Sequence, residues 1–198
     1  FLSSGMCTLE EVGEAGGALL GEGNDKLILL HAITSYPTHP ENVNLAAIQT
    51  LMHEFPQLDI GYSDHTLNPV ACLCAAAMGS RVLERHFTYD KKADGPDHRL
   101  SADPAEMKWL VEAVRSFEVM RGSGIKRPAD SERTTRLNNR KSVVLARAIR
   151  CGERLSRNDI AIKRPGTGIA PRFLEQVIGR AVRSDLEADA VLTWDDLQ

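Results

Sequence analysis

Aromatic side chains are scarce, at 5% of the 198 residues. None falls between Arg121 and Arg164, the most basic part of the chain, which carries thirteen Lys/Arg against four Asp/Glu, a local charge of +9 in a protein of net charge −3. A nucleic-acid groove needs aromatic platforms interleaved with its cations, so the stretch reads as a solvated face or a site for a small anion. No apolar run approaches the ~18–20 residues of a membrane span. The opening Phe1–Met6 has neither the basic nor the long apolar region of a secretory signal. Cysteine is limited to Cys7, Cys72, Cys74 and Cys151, with no CxxC pair. That spacing excludes a thiolate zinc site and a disulfide framework, and implies reduced, mostly buried thiols in a cytoplasmic protein. Hydrophobic residues at 42% and charged residues at 26% are those of an ordinary globular chain, long enough for one large or two small domains.

The first 122 residues alternate strand and helix signals. Phe1–Ser4 is a short apolar piece, and Thr8-Leu9-Glu10-Glu11 reads as a helix N-cap with acidic first-turn residues. Lys26–Ala32 contains the run Leu27-Ile28-Leu29-Leu30, expected of a strand buried on both faces. Pro40 opens a helical pattern with Val43, Leu45, Ile48, Leu51 and Met52 on one side. Leu58–Tyr62 reads as a strand, Pro69–Met78 as a small-residue helix stopped by Gly79, and Arg81–Phe87 as a fourth strand. Asp103-Pro104 caps a last helix, which ends near Met120. This spacing describes parallel βα units, and four of them are half of a (β/α)8 barrel. Alone, such a half has two open edges and a bare inner face, so four further units are expected before Phe1 or from another chain. Residues 123–139 are polar and basic and read as a linker. Beyond them come short β-like runs, 142–146 and 159–163. A weak repeat also appears: the apolar and acidic positions of Ile149–Ile160 recur in Leu186–Leu197, at an offset of 37.

In a parallel barrel, chemistry gathers at the C-terminal strand ends. Here those ends carry Ser3-Ser4-Gly5, then His31 to Pro37, then Tyr62-Ser63-Asp64-His65-Thr66, then Glu84-Arg85-His86-Phe87-Thr88 with a loop holding Gly95-Pro96-Asp97-His98. His65 and His86 end neighbouring expected strands, so two imidazoles can meet on one divalent metal with oxygen ligands completing its shell. A lone histidine at such a place is ordinarily a structural hydrogen bonder; two at corresponding ends favour the metal. Hydroxyls and amides at Ser3, Ser4 and Ser63 suit phosphate oxygens, though each serine alone is commonly a turn or cap.

Taken together, Ser3-Ser4-Gly5-Met6, Ser35-Tyr36-Pro37, Tyr62-Ser63-Asp64-His65-Thr66, Glu84-Arg85-His86-Phe87-Thr88, Gly95-Pro96-Asp97 and Lys163-Arg164-Pro165-Gly166-Thr167-Gly168 resemble the sialic acid synthase family over essentially the whole chain. The resemblance implies residues 1–122 as the last four units of a TIM barrel, 123–139 as linker and 140–198 as an antifreeze-like (SAF) domain. It implies condensation of phosphoenolpyruvate with N-acetylmannosamine, giving a nine-carbon 2-keto acid and phosphate, assisted by Mn2+ or Mg2+. His65 and His86 are then metal ligands, and Ser4 and Ser63 contact phosphoenolpyruvate. Asp97 binds the open-chain sugar near the metal, and Tyr36 lines the sugar pocket. Arg164 reaches the partner's site in a domain-swapped homodimer and meets the N-acetyl end. Thr34 joins the substrate set where many members carry Asn or Ser, and it lacks the amide.

The resemblance also implies that the remaining metal carboxylate, the phosphate-binding lysines and the general base lie on earlier strands, so this chain alone is expected to be an incomplete catalyst. Asp64 or Glu84 is expected to help by orienting ligands. Two alternatives stand beside this reading. One is a pseudaminic, legionaminic or spore-coat sugar synthase with the same chemistry; the other is a sugar-binding remnant without catalysis.

Overall fold

The computed structural model describes residues 1–198 and divides into two compact units, Phe1–Gly124 and Ile125–Gln198. The first holds four strands, β1 (Leu2–Ser3), β2 (Ile28–Ala32), β3 (Asp59–Asp64) and β4 (Leu83–Arg85). They are ordered β1-β2-β3-β4, and every pairing is parallel. Four helices alternate with them: α1 (Leu9–Gly21), α2 (Ala46–Glu54), α3 (Val70–Ala77) and α4 (Pro104–Arg121). Both expected caps are present as reciprocal capping boxes, Thr8 with Glu11 and Asp103 with Glu106, the latter followed by Pro104.

The helix expected from Pro40 is broken. Pro40–Asn42 forms a 3-10 turn, and Asn44 turns into the left-handed region at φ 47° before α2 begins, a conformation asparagine tolerates better than most residues. The fourth strand is shorter than Arg81–Phe87. Past Arg85 the chain leaves the ladder: Phe87 keeps one parallel bridge, to Ala102, and the Ala102 N–H donates to His86 O at 2.8 Å. The thiols are also more exposed than expected. All four are free, but only Cys72 is buried. Cys74 lies two residues on, which on a helix is another face, and Cys7 and Cys151 lie outside the regular elements.

The sheet's two faces differ because strand side chains alternate. Leu29, Ile60 and Tyr62 pack with Val12, Ile48, Leu51, Cys72, Ala75 and Leu110 in one core between sheet and helices. The opposite face carries Leu30 and Gly61, paired in register. A Cβ at Gly61 would lie 2.4 Å from Leu30 Cδ2 and 2.7 Å from Val82 O, so the close approach there requires glycine.

In the second unit β5 (Ser142–Leu145) pairs antiparallel with β6 (Ile160–Lys163). Residues 123–139 are not a bare linker: Arg133–Asn139 forms helix α5, whose Leu137 carbonyl accepts from Gly166 N–H at 2.7 Å. A further short helix, α6 (Leu174–Val177), lies before the last segment.

The weak repeat is a real duplication. Ile149 and Leu186, equivalent under the 37-residue offset, exchange both backbone hydrogen bonds at 2.9 Å. The bridges Val144–Val191 and Arg154–Ala181 interchange under the same offset, as do Leu145–Ile160 and Val182–Leu197. Ser156–Asp159 and Thr193–Asp196 make matching caps, in which the aspartate accepts from the backbone N–H and hydroxyl of the residue three before it. Leu155 and Leu192 both enter a core with Val143, Leu145, Ile149, Ile169, Val177, Val182 and Leu197. The offset extends upstream, relating Lys126-Arg127-Pro128 to Lys163-Arg164-Pro165.

The Ser156 hydroxyl and N–H, followed by Arg147, hold the Asp159 carboxyl below the usual carboxylate range. A depressed native value stabilises the fold above the unfolded value, about 3.9, and that contribution disappears as pH falls through the native one. Ser156→Ala is therefore expected to cost about 1 kcal/mol at neutral pH and to raise the pH of acid unfolding, read by circular dichroism against pH.

Candidate active site

The register of β3 against β4 builds the candidate site. Ser63 pairs with Glu84 and Asp64 with Arg85, both at an offset of 21, and the same offset carries His65 to His86 just past the strand ends. Ser63 Oγ donates to Glu84 Oε1 at 2.7 Å. The two imidazoles meet edge to face with centroids 5.3 Å apart. Tyr36, next to the cis Tyr36–Pro37 bond, tilts over His65 at 4.2 Å and stands edge-on to His86 at 5.7 Å. Asp97 Oδ2 lies 3.7 Å from His86 Nδ1, too long for a hydrogen bond. Its loop is held by the Asp97 carbonyl, which accepts from Ser101 Oγ at 2.7 Å, and by Thr88 Oγ1 against His98 Nδ1 at 2.7 Å.

His65 Nδ1 lies 2.8 Å from Ile33 O. A carbonyl only accepts, so Nδ1 carries the proton and the neutral ring keeps its lone pair on Nε2. A second-sphere bond of this kind fixes the tautomer of a metal-ligating histidine. His65 and His86 thus present nitrogen donors to the same space, but together with Asp97 they do not form a group of three His, Cys, Asp or Glu placed to hold a metal ion in this chain.

The structure thus brings His65, His86, Asp97 and Tyr36 together, with Ser63 and Glu84 one turn of the pleat below. Ser4 has a different setting. It is buried, and its Oγ accepts from Ala32 N–H at 3.3 Å, bracing the β1–β2 seam. Ser3 is the exposed serine. Thr34 is exposed beside Gly5, where a Cβ would come within 2.2 Å of Thr34 Oγ1. Arg164 is exposed in the second unit and makes no ion pair, although its neighbour Lys163 is bonded to Asp189.

Asp64 does not orient ligands. Its side chain is 0% exposed and points to the helix side of the sheet, where it pairs with Arg85, itself 2% exposed. Tyr62 Oη and Thr66 N–H donate to Asp64 Oδ1 at 3.0 and 2.9 Å, and Cys72 Sγ approaches Oδ2 at 3.2 Å. Arg85 Nη2 donates to Thr66 O at 2.8 Å and Leu100 O at 3.1 Å. Arg85 is the residue sequence reasoning passed over. Its signal was available, because the offset that pairs the histidines also pairs Asp64 with Arg85 one position earlier. Burial, and then the Asp64 charge, push both the Tyr62 hydroxyl and the Cys72 thiol well above their usual ranges, so both stay protonated as donors.

The sequence matches the NeuB family over residues 1–126 and the SAF domain over residues 140–198. The chain belongs to the NeuB family. It is 47% identical over 196 residues to an uncharacterized protein of Methanocaldococcus jannaschii, covering 99% of this chain and 58% of that protein. It is 42% identical over 205 residues to the N,N'-diacetyllegionaminic acid synthase of Legionella pneumophila, covering 100% and 56%. The crystal structure of the spore coat polysaccharide biosynthesis protein SpsE from Bacillus subtilis superposes with a TM-score of 0.58 at 32% identity, covering 99% of this chain and 60% of that one. The chain therefore spans somewhat over half the length of these relatives.

Two outcomes are expected. Arg85→Leu leaves the Asp64 carboxylate buried without its cation and lowers stability by about 3–5 kcal/mol, read from the urea midpoint. A maleimide probe at pH 8 labels Cys7, Cys74 and Cys151 in the native protein and spares Cys72 until it unfolds.

Proposed function

We propose that this chain is the C-terminal part of a synthase that joins phosphoenolpyruvate to an N-acetylated amino sugar, giving a nine-carbon 2-keto acid and phosphate. The observation that carries this reading is the convergence of His65 and His86, 5.3 Å apart, under Tyr36 and beside Asp97, at the C-terminal ends of parallel strands. The parallel order β1-β2-β3-β4 with two open edges supports the last four units of a (β/α)8 barrel, the first four completing the site.

The enol carbon C3 of phosphoenolpyruvate attacks the aldehyde of the open-chain sugar and forms the new C–C bond. Water then adds to C2, and the tetrahedral intermediate expels phosphate by C–O cleavage. Mn2+ or Mg2+ held by His65 and His86 would supply Lewis acidity at the aldehyde oxygen. The residues of this chain position the reactants. The exposed hydroxyls of Ser3 and Thr34 and the backbone amides near them address the phosphate and carboxylate of phosphoenolpyruvate, with Ser4 and the Ser63–Glu84 pair holding the strand ends that carry them. Tyr36 and Asp97 address the sugar. Arg164 of a domain-swapped partner meets its N-acetyl end, which gives an exposed, unpaired guanidinium a use. In this reading the enzyme is a cytoplasmic dimer.

The sugar itself has two supported readings. N-acetylmannosamine is the family's typical acceptor. The 42% identity to a diacetyllegionaminic acid synthase favours a doubly N-acetylated hexose. The protein, extended to the length of its relatives, is expected to release phosphate from phosphoenolpyruvate only when an acceptor hexosamine and Mn2+ or Mg2+ are present. A panel of acceptors identifies the sugar. His65→Ala and His86→Ala each lower turnover about a hundredfold or more and abolish metal dependence; unchanged turnover and metal affinity would refute the assignment.

A further inference from the structure

We infer that Ser142 is a positioning residue that holds the Arg164 loop in one conformation. This rests on the proposed role of Arg164 and extends it to a residue in the core of the second unit. Ser142 opens β5 and is 0% exposed. Its Oγ donates to Pro165 O at 2.7 Å and accepts from Gly168 N–H at 2.9 Å. One hydroxyl thus uses its proton and a lone pair on the two ends of the same turn, Pro165 to Gly168, immediately after Arg164. Ordinary strand pairing does not require either bond: the Ser142 backbone already pairs with Lys163 in the β5–β6 register.

Two further contacts close the turn from other sides. Gly166 N–H donates to Leu137 O, in the last turn of α5, at 2.7 Å. A Cβ on Gly166 would fall 2.4 Å from Arg140 Cβ, so α5 packs directly on the loop backbone and only glycine fits. Ile169 N–H donates to Leu192 O at 2.7 Å and ties down the outgoing chain. Between these anchors the side chains divide. Lys163 is tied to Asp189, while Arg164 projects into solvent with no acidic partner. The backbone of the loop is anchored at Pro165, Gly166, Gly168 and Ile169, and the Arg164 guanidinium has no ion pair.

The chemical consequence is preorganisation. An exposed arginine on a slack loop loses backbone and side-chain freedom when it docks on a neutral amide or a carbonyl, and that loss weakens binding. Removing the freedom of the backbone in advance leaves only the side chain to be ordered. Ser142 therefore acts on affinity for the sugar through Arg164 and touches no substrate.

The test uses the protein extended to the length of its relatives and four variants: Ser142→Ala, Gly166→Ala, Arg164→Ala and the Ser142→Ala/Arg164→Ala pair. Ser142→Ala removes both bonds, and Gly166→Ala displaces the same loop by a different physical route, so failure of one variant to fold leaves the other. Each is expected to raise KM for the amino sugar about tenfold while kcat and KM for phosphoenolpyruvate stay within about twofold. The pair should be no worse than Arg164→Ala alone. Additive effects in the pair, or an unchanged sugar KM in Ser142→Ala, would overturn the inference and leave Ser142 a packing residue. An unchanged sugar KM in Arg164→Ala overturns it too, by removing the role of Arg164, although synthase activity then still stands.

Amide hydrogen exchange supplies a readout that needs no turnover. Ser142→Ala should speed exchange at Gly168 about tenfold or more and leave Leu145 unchanged. Loss of protection spread evenly over the unit would contradict a local brace. If the unaltered protein forms no product with any acceptor, the synthase reading fails, and the exchange pattern decides the brace separately.

Discussion

The buried pairing of Asp64 with Arg85 is the constraint on which the first unit depends. Two charges withdrawn from water on the helix side of the sheet are costly, and attraction repays that cost only where the surrounding bonds are complete. Here they nearly are: Asp64 takes Tyr62, Thr66 and Cys72, and Arg85 takes the carbonyls of Thr66 and Leu100. Arg85 Nε is left without a partner, so the site keeps one open cost. The pair joins β3 to β4 at one register and no other. A slip of a single residue would turn every side chain to the opposite face, so the same pair sets Ser63 against Glu84 and His65 against His86 on the far side. A structural ion pair on one face thereby places the chemistry on the other.

The second unit solves a comparable problem by duplication. Each half offers a buried leucine and a capped 3-10 turn, and the two leucines enter one core. Paired about Ile149 and Leu186, the halves share one core. That core is also what allows a loop with an unpaired guanidinium to stay ordered. The Ser142 hydroxyl and the Leu137 and Leu192 carbonyls bond the backbone of residues 165–169, and the cation makes no ion pair.

Much of the fold was legible in the residues. Strand and helix alternation, both capping boxes, the Gly79 stop and the 37-residue repeat follow from local chemistry: side-chain period, reciprocal cap bonds and turn residues. The failures share a cause. Asn44 splits a pattern whose apolar spacing looks continuous, because periodicity reports burial and is blind to one backbone turn. Residues 123–139 look like linker by composition, but Arg133–Asn139 is helical and its Leu137 carbonyl is engaged by Gly166. Cys74 was expected inside because its neighbours are apolar, and helical rotation puts it outside.

The site divides along the same line. Residue order alone determined which groups could take part, since histidine, tyrosine, serine and aspartate at the ends of successive strands carry their chemistry in their identity and spacing. Only the tertiary structure decided which face each one serves. Asp64 and His65 are adjacent in the chain, yet one is consumed by a buried cation and the other keeps Nε2 free. Ser3 and Ser4 divide the same way, one exposed and one bracing a seam. The physical reason is the two-residue alternation of a strand: it assigns neighbours to opposite sides, and what waits on each side is fixed by parts of the chain far away in sequence.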